Sequence, residues 1–437
     1  MTQRETAINI ILRLHKAGYE AFFVGGCVRD ELRGVDPKDY DISTSARPEE
    51  VEELFAKTIS VGKSFGVMMV LESGNQFEVA TFRADGDYED GRRPKEVKFA
   101  DAQTDAARRD FTVNGLFLNP VTNEVHDWVG GKTDLKSRTL RTIGDPVERF
   151  GEDHLRLLRA VRFAAQLDFQ IDPMTFSAVQ EHAAKVVSVS AERIRDELLK
   201  LFRPTHAARG LDLLRESGLL EHVLPELMPT IDCEQTPDYH PEGNVYNHIR
   251  LMLDIMPPDA PMELPWTILL HDIAKPATAS TGKDGRIHFY GHERVGATMT
   301  KSILARLHFS SDEIDTIAFT VRHHMQFKDA PQMRKATLRR MIMRPNFELE
   351  LEQHRIDCLG SHGKLDIYDF IRAEQAALAE QPALFEPLIT GRDLIALGMI
   401  PGPALGKLLN EIRDRQLAEE FASRENALMW AREKAAL

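Results

Sequence analysis

Two aspartates two residues apart, Asp39 and Asp41 in KDYDIST (38–44), are the residues of this 437-residue chain best placed to do chemistry. On a strand, residues i and i+2 share a face, so the spacing predicts two carboxylates side by side. Such oxygen donors suit Mg²⁺, which fills its remaining positions with water and substrate phosphates. A pair of these ions can activate an attacking hydroxyl and stabilise a leaving pyrophosphate. Upstream, VGGCVRD (24–30) runs an apolar strand into Gly25-Gly26, where the missing Cβ atoms let backbone amides approach a triphosphate. Arg29 follows one helical turn later as a phosphate partner. A Gly-Gly turn and a solvated Asp-x-Asp are each common alone, but in this order they are specific. Glu78, in FEVATF (77–82), is a candidate third carboxylate on a strand beside that of Asp39 and Asp41.

A second constellation is GEDHLRLLRAVRF (151–163). At a helical advance of ~100° per residue, Glu152, Asp153, Arg156, Arg159 and Arg162 fall on one side and Leu157, Leu158 and Val161 on the other. A carboxylate beside a guanidinium can accept from the exocyclic amine of A or C while donating to its ring acceptor, an order that U and G reverse. Asp153 and Arg156 therefore suit selection of ATP and CTP without a template. A third set comprises His248 (YNHIRLML), His271 and Asp272 (WTILLHDIAKP), and Asp357 (HRIDCLG), with His292, His323 and His324 available for a second ion. Imidazole and carboxylate together suit Mn, Fe, Ni, Zn or Mg, so ligand type leaves the metal open.

The elements that must position these groups change character along the chain. Residues 2–17 carry apolar positions at helical spacing and stop at Gly18, and AFFV (21–24), VMMVLE (67–72), FEVATF (77–82) and GLFLNP (115–120) read as strands. After about residue 145 helical patterns take over. The Pro-rich stretch 225–244 reads as a linker, and PALFEPLITGRD (382–393) as a boundary before a helical tail. This divides the chain into 1–145, 146–228, 229–380 and 381–437. No apolar run approaches the ~20 residues of a membrane helix, and the N-terminus lacks a signal-peptide pattern, which predicts a cytoplasmic protein without membrane contact. The three cysteines (Cys27, Cys233, Cys358) have no CxxC spacing, so no disulfide framework or cysteine zinc site is expected. A net charge of −13 excludes a broad basic surface, so contacts to nucleic acid must be local.

GGCVRD, KDYD, ARRDFTVNG (107–115), GEDHLRLLRAVRF and SAERIRDELLKL (190–201), in this order over about residues 20–203, resemble the successive motifs of the class II tRNA nucleotidyltransferase and bacterial poly(A) polymerase family. Gly115 stands where the family usually has Ala, another small residue. The resemblance implies an α/β head with a mixed sheet, like that of DNA polymerase beta, followed by all-α neck, HD and tail domains. It implies CCA addition to the 3′ end of tRNA from CTP and ATP with Mg²⁺ at Asp39 and Asp41. A poly(A) polymerase or A-adding enzyme of the same family shares these motifs. Gly26, Arg29 and Arg109 would hold triphosphate and ribose, Asp153 and Arg156 would read the base, and Arg159 and Arg162 would support that face or touch the nucleotide. RADGDYEDGRRPKEVKF (83–99) reads as a mobile loop of mixed charge, which the resemblance links to addition of the terminal A. The histidine and aspartate set resembles the HD phosphohydrolase superfamily, with Lys275 as a phosphate contact, a divalent metal, and 2′,3′-cyclic phosphates or 2′-phosphates as substrates. An HD phosphohydrolase carrying an RNA-binding head is the alternative from another class.

Overall fold

The computed structural model describes residues 1–62, 65–86, 97–236, 240–283 and 285–435, and the chain divides into two compact units, 1–225 and 226–437. The first begins with α1 (Gln3–Lys16), whose Thr2 and Glu5 close a reciprocal capping box. Then come β1 (Ala21–Val24), α2 (Gly26–Leu32), β2 (Ile42–Thr44), α3 (Pro48–Leu54), β3 (Thr58–Gly62), β4 (Val67–Glu72) and β5 (Asn75–Thr81). The pair β6 (Arg83–Asp85) and β7 (Val97–Phe99) leads through α4 (Ala102–Ala107) to β8 (Phe117–Asn119) and β9 (Glu124–His126). Residues 87–96 of the expected mobile loop lie outside the described residues.

Seven strands form one mixed sheet in the order β3-β4-β5-β2-β1-β8-β9. Only β2 and β5 run parallel; every other neighbouring pair is antiparallel. β1 is apolar at every position because both its faces are covered. Phe23 joins Ile10, Ile11, Leu14, Ile42 and Val79 in one core, while Phe22 and Val24 pack with Phe82, Ala106 and Phe117 in another. Beyond the sheet lie α5 (Gly131–Ser137), α6 (Pro146–Glu152), α7 (Leu155–Leu167), α8 (Pro173–His182) and α9 (Ala191–Leu201). Helix α7 packs its apolar side fully, burying Leu157, Leu158 and Val161, as the expected period requires.

Among its described residues the second unit is helical apart from a short β-pair, Ser280–Thr281 with Ile287–His288, and an isolated bridge between Glu234 and Asn244. Phe327, Leu338, Met341, Phe347, Leu351 and Ile371 make one core in it, and Ile389, Leu394, Ile412, Ala427 and Ala431 make a separate one near the C-terminus. No helix among the described residues is long and apolar enough to cross a membrane.

Candidate functional site

At the end of β1, Gly25 adopts φ +73°, and a Cβ there would come within 3.1 Å of Arg109 Nη1. Glycine therefore meets both the angle and the space at the step into α2. Arg29, buried on α2, is held by both Asp30 oxygens at 2.9 Å and by Asn114 Oδ1 at 2.8 Å. Arg109 donates to Ser43 Oγ (3.2 Å) and Asp105 Oδ2 (3.1 Å), while its Nε is buried without a hydrogen-bond partner among the described residues.

Asp39 and Asp41 are not on a strand, contrary to the sequence expectation; they lie in the irregular approach to β2. Pairing with β1 reaches Asp41 only through its carbonyl, which accepts from the Val24 N–H at 3.1 Å, and the strand proper starts at Ile42. The relation to Glu78 survives. Asp41 directly precedes Ile42, Glu78 directly precedes Val79, and Ile42 pairs with Val79 in the parallel register. Local desolvation, and then the charges of Glu78 and Asp39, push the Asp41 carboxyl up to about 6, with Arg109 opposing. All three acids are open to solvent at the residue level, and like charge crowds around Asp41 there. Crowded hard oxygen donors of this kind fit Mg²⁺.

A cavity of about 490 Å³ is lined on the sheet side by Gly25, Gly26, Arg29, Asp41 and Arg109. On the helical side it is lined by Asp153, Arg156, Arg159, Arg162, Phe163 and Arg193. Asp39 and Glu78 do not line it. The single helix expected over 151–163 is broken. Helix α6 ends at Glu152, Asp153 is extended (φ −141°, ψ 107°), and α7 starts at Leu155. The cause is local capping: Asp153 Oδ1 accepts from the Leu155 N–H at 3.0 Å, and Oδ2 takes Arg193 Nη2 from α9 at 2.7 Å. Arg156 instead pairs with Glu152 and donates to the Arg149 carbonyl at 2.9 Å. The side chains of Asp153 and Arg156 thus share the cavity without pairing with each other.

Arg159 reaches Asp110, and Arg162 lies 2.5 Å from Glu197 with its guanidinium 3.9 Å from the Phe163 ring centre. Arg159 and Arg29 flank the same ring at 5.1 and 5.5 Å. Sequence reasoning assigned no role to Phe163, Asn114 or Arg193. The i,i+4 spacing of Arg193 and Glu197, one facing Asp153 and the other Arg162, was the available signal for the last of these.

In the second unit, His248 on the helix Val245–Asp254, His271 after the helix Leu264–Leu270, and Asp357 on the helix Phe347–Gly360 offer ligand atoms within 4.8 Å of one another. Asp272, His292 and His324 do the same. His323 points away, with Nδ1 2.8 Å from the Phe319 carbonyl, because its neighbour at the helix end takes the inward position. Lys275 Nζ lies 2.6 Å from Asp272 Oδ2. Burial opposes charge on His248, but the paired carboxylates of Asp357 and Glu242 outweigh it and raise the ring to about 9. Burial, aided by the His271 ring, pushes His324 down to about 3. Despite its burial, Asp272 is held well below the usual carboxylate range by His271 and Lys275. His271 Nε2 and Asp272 Oδ1 are buried without a well-directed hydrogen bond among the described residues. Bare buried donors of this sort fit a divalent cation. His240 and Glu242, which the sequence reading left in a linker, form a third group with His248.

Residues 21–141 match the family model "Poly A polymerase head domain", 168–231 match "Probable RNA and SrmB- binding site of polymerase A", and 243–352 match "HD domain". The CCA-adding enzyme of Streptococcus mutans is 32% identical over 431 residues, covering 97% of this chain and 96% of that protein. That of Bacillus pumilus is 43% identical over 218 residues, covering 50% of this chain and 54% of the relative. The chain thus matches about half the length of the Bacillus relatives. The solved Bacillus stearothermophilus CCA-adding enzyme in complex with CTP is 28% identical, with a TM-score of 0.77, covering 100% of this chain and 98% of that one. The Thermotoga maritima CCA-adding enzyme complexed with tRNA_CCA, at 17% identity and a TM-score of 0.58, shares the fold.

Proposed function

The chain belongs to the CCA-adding enzyme family, and we propose that it adds C and A nucleotides to the 3′ end of tRNA from CTP and ATP without a nucleic-acid template. The observation that carries this reading is the single cavity shared by Gly25, Gly26, Arg29, Asp41 and Arg109 with Asp153 and Arg156. One set suits a triphosphate and the other a base edge. We assign the head to 1–145 and the neck to 146–228. With tRNA as its substrate, we propose the cytoplasm as the compartment of the reaction.

Mg²⁺ held by Asp39 and Asp41, with Glu78 beside them, would supply an activated 3′-hydroxyl and charge neutralisation at the α-phosphate. The chain's own groups do the rest. The amides at Gly25-Gly26, Arg29 and Arg109 orient the triphosphate and spread its charge. Asp153 has one oxygen on Leu155 N–H and the other on Arg193. Each carboxylate oxygen keeps a free lone pair for an exocyclic amine, and Arg156 donates to the ring acceptor. Arg159 and Arg162 hold Phe163 against the cavity. The test is to incubate the protein with tRNA ending at the discriminator base, supply CTP, ATP or both, and sequence the 3′ ends. CCA ends support the reading, whereas A-only or poly(A) ends assign the neighbouring activity of the family.

A second reading concerns a second site in the same chain. Two adjacent three-ligand groups, His248/His271/Asp357 and Asp272/His292/His324, together with Lys275, support a metal-dependent phosphohydrolase acting on RNA ends or nucleotide phosphates.

A further inference from the structure

The residues described just ahead of the His248 helix, 233–236 and 240–244, form a strap whose two ends are clipped together. Glu234 and Asn244 form an antiparallel bridge, and the Val245 N–H donates to the Cys233 carbonyl at 3.0 Å. Two of its side chains turn inward. Glu242 is 8% exposed, and its Oε1 lies 2.7 Å from His248 Nδ1 and 2.8 Å from His240 Nδ1. Its Oε2 is buried without a hydrogen-bond partner among the described residues. Gln235, also buried, accepts from Lys275 Nζ at 2.6 Å. A connecting strap has no need of a buried carboxylate, which is costly to desolvate unless a partner offsets it.

The His248 ring is wholly buried, with Nδ1 2.7 Å from Glu242 Oε1 and Nε2 3.1 Å from Asp357 Oδ1, and among the described residues neither nitrogen makes a well-directed hydrogen bond. A histidine can offer only its unprotonated nitrogen to a metal, and which one that is depends on what holds the other. We propose that Glu242 is a positioning residue of the metal centre: standing 2.7 Å from His248 Nδ1, it accepts the Nδ1–H once the ring turns Nε2 onto a divalent cation, and so selects the tautomer that leaves Nε2 free for the metal. Gln235 does the corresponding work for Lys275, so the strap is part of the site. This rests on the metal-centre reading of His248, His271 and Asp357.

The experiment uses the full chain. Mn²⁺ is titrated by calorimetry into wild type, Glu242→Leu and His248→Ala, with metal-free melting temperatures recorded alongside. Leucine removes the acceptor, which glutamine would keep. We expect Glu242→Leu to bind about 10–100-fold more weakly while melting like wild type. Because the leucine variant can misfold, wild type loaded with Zn²⁺ and labelled with ¹⁵N-histidine is measured independently by NMR. The His248 signal should show a proton on Nδ1 and metal on Nε2. Unchanged Mn²⁺ affinity in Glu242→Leu with loss in His248→Ala overturns the positioning role alone, as does metal on Nδ1. Wild-type affinity in His248→Ala, or no binding by wild type, overturns the metal-centre reading and this inference with it.

Discussion

Arg159 Nη2 on α7 lies 2.6 Å from Asp110 Oδ2, in the stretch after α4. Asp110 also accepts from Asn114 Nδ2 at 3.3 Å, and Asn114 Oδ1 accepts from Arg29 at 2.8 Å. Two cavity arginines from opposite walls are therefore joined through one buried aspartate and one asparagine. Asp110→Ala removes the nearest carboxylate of Arg159 and the acceptor of Asn114 Nδ2 together, leaving Arg159 only the more distant Glu197 at 4.0 Å. We expect a loss of about 3 kcal/mol, the low end for a broken buried ion pair because Arg159 keeps some solvent contact. Urea unfolding of wild type and variant measures it, and nucleotide addition should fall with it.

Acid should weaken the same region. Burial alone would raise Asp105 and Asp110, yet Arg109 and Arg108 hold the first, and Arg159 the second, below the ordinary value of 3.8. The unfolded chain therefore takes up these protons at a higher pH than the folded one. The stabilisation is complete above the unfolded value and drains away as pH falls through the lower folded values. Urea midpoints measured from about pH 6 down to about pH 2.5 should drop steeply at the acid end, and Asp105→Asn should flatten that drop.

Much of this arrangement was legible in the sequence because it follows from short-range rules. AFFV had to be a strand covered on both faces, and the Gly-Gly step had to follow it. The edge strands TISVG and EVH carry weak patterns, since a half-solvated edge places little demand on residue type. The break at Asp153 was hidden because the apolar period runs through it unbroken. It arises from a side-chain cap and from Arg193, forty residues on, which local spacing does not encode. Glu242 was hidden for the opposite reason: Pro, Gly and Asn around it read as linker, and only the packing turns it inward.

For the carboxylates, Asp41→Asn and Asp39→Asn should reduce nucleotide addition to background while the melting temperature holds. Asp41 also loses a source of repulsion, so the variant is expected to be no less stable than wild type. Addition at the wild-type rate by either purified variant would refute the assignment. Glu78→Gln tests the neighbouring acid by the same assay, with a smaller loss expected because Glu78 stands outside the cavity lining.

Base selection should weaken in Asp153→Ala by about 1–3 kcal/mol, the cost of leaving a hydrogen-bonding group unpaired, or roughly 5- to 150-fold in the kcat/KM ratio of CTP to UTP. The same change frees Arg193 and removes the cap on Leu155, so a control is needed. Arg193→Ala loses the ion pair but keeps the carboxylate. If discrimination falls in Asp153→Ala and largely survives in Arg193→Ala, Asp153 reads the base; equal losses mean that the ion pair merely shapes the wall.

The last expectation separates the two sites. Asp272 lies within reach of His271, His292, His324 and Lys275, so it joins the two three-ligand groups, whose His271 and His324 rings also meet at 5.3 Å. Bound metal can bring the pKa of a coordinated water to about 7, so a phosphohydrolase here needs that ligand set intact. His271→Ala and Asp272→Ala should abolish phosphate release from 2′,3′-cyclic or 2′-phosphorylated RNA ends in Mg²⁺, Mn²⁺, Ni²⁺ or Co²⁺. Nucleotide addition should survive in both, because its groups all lie within residues 1–225. A metal that only braces the helices would give a different pattern: no hydrolysis by wild type with any ion, and a large fall in melting temperature in the variants, since metal binding is then part of folding.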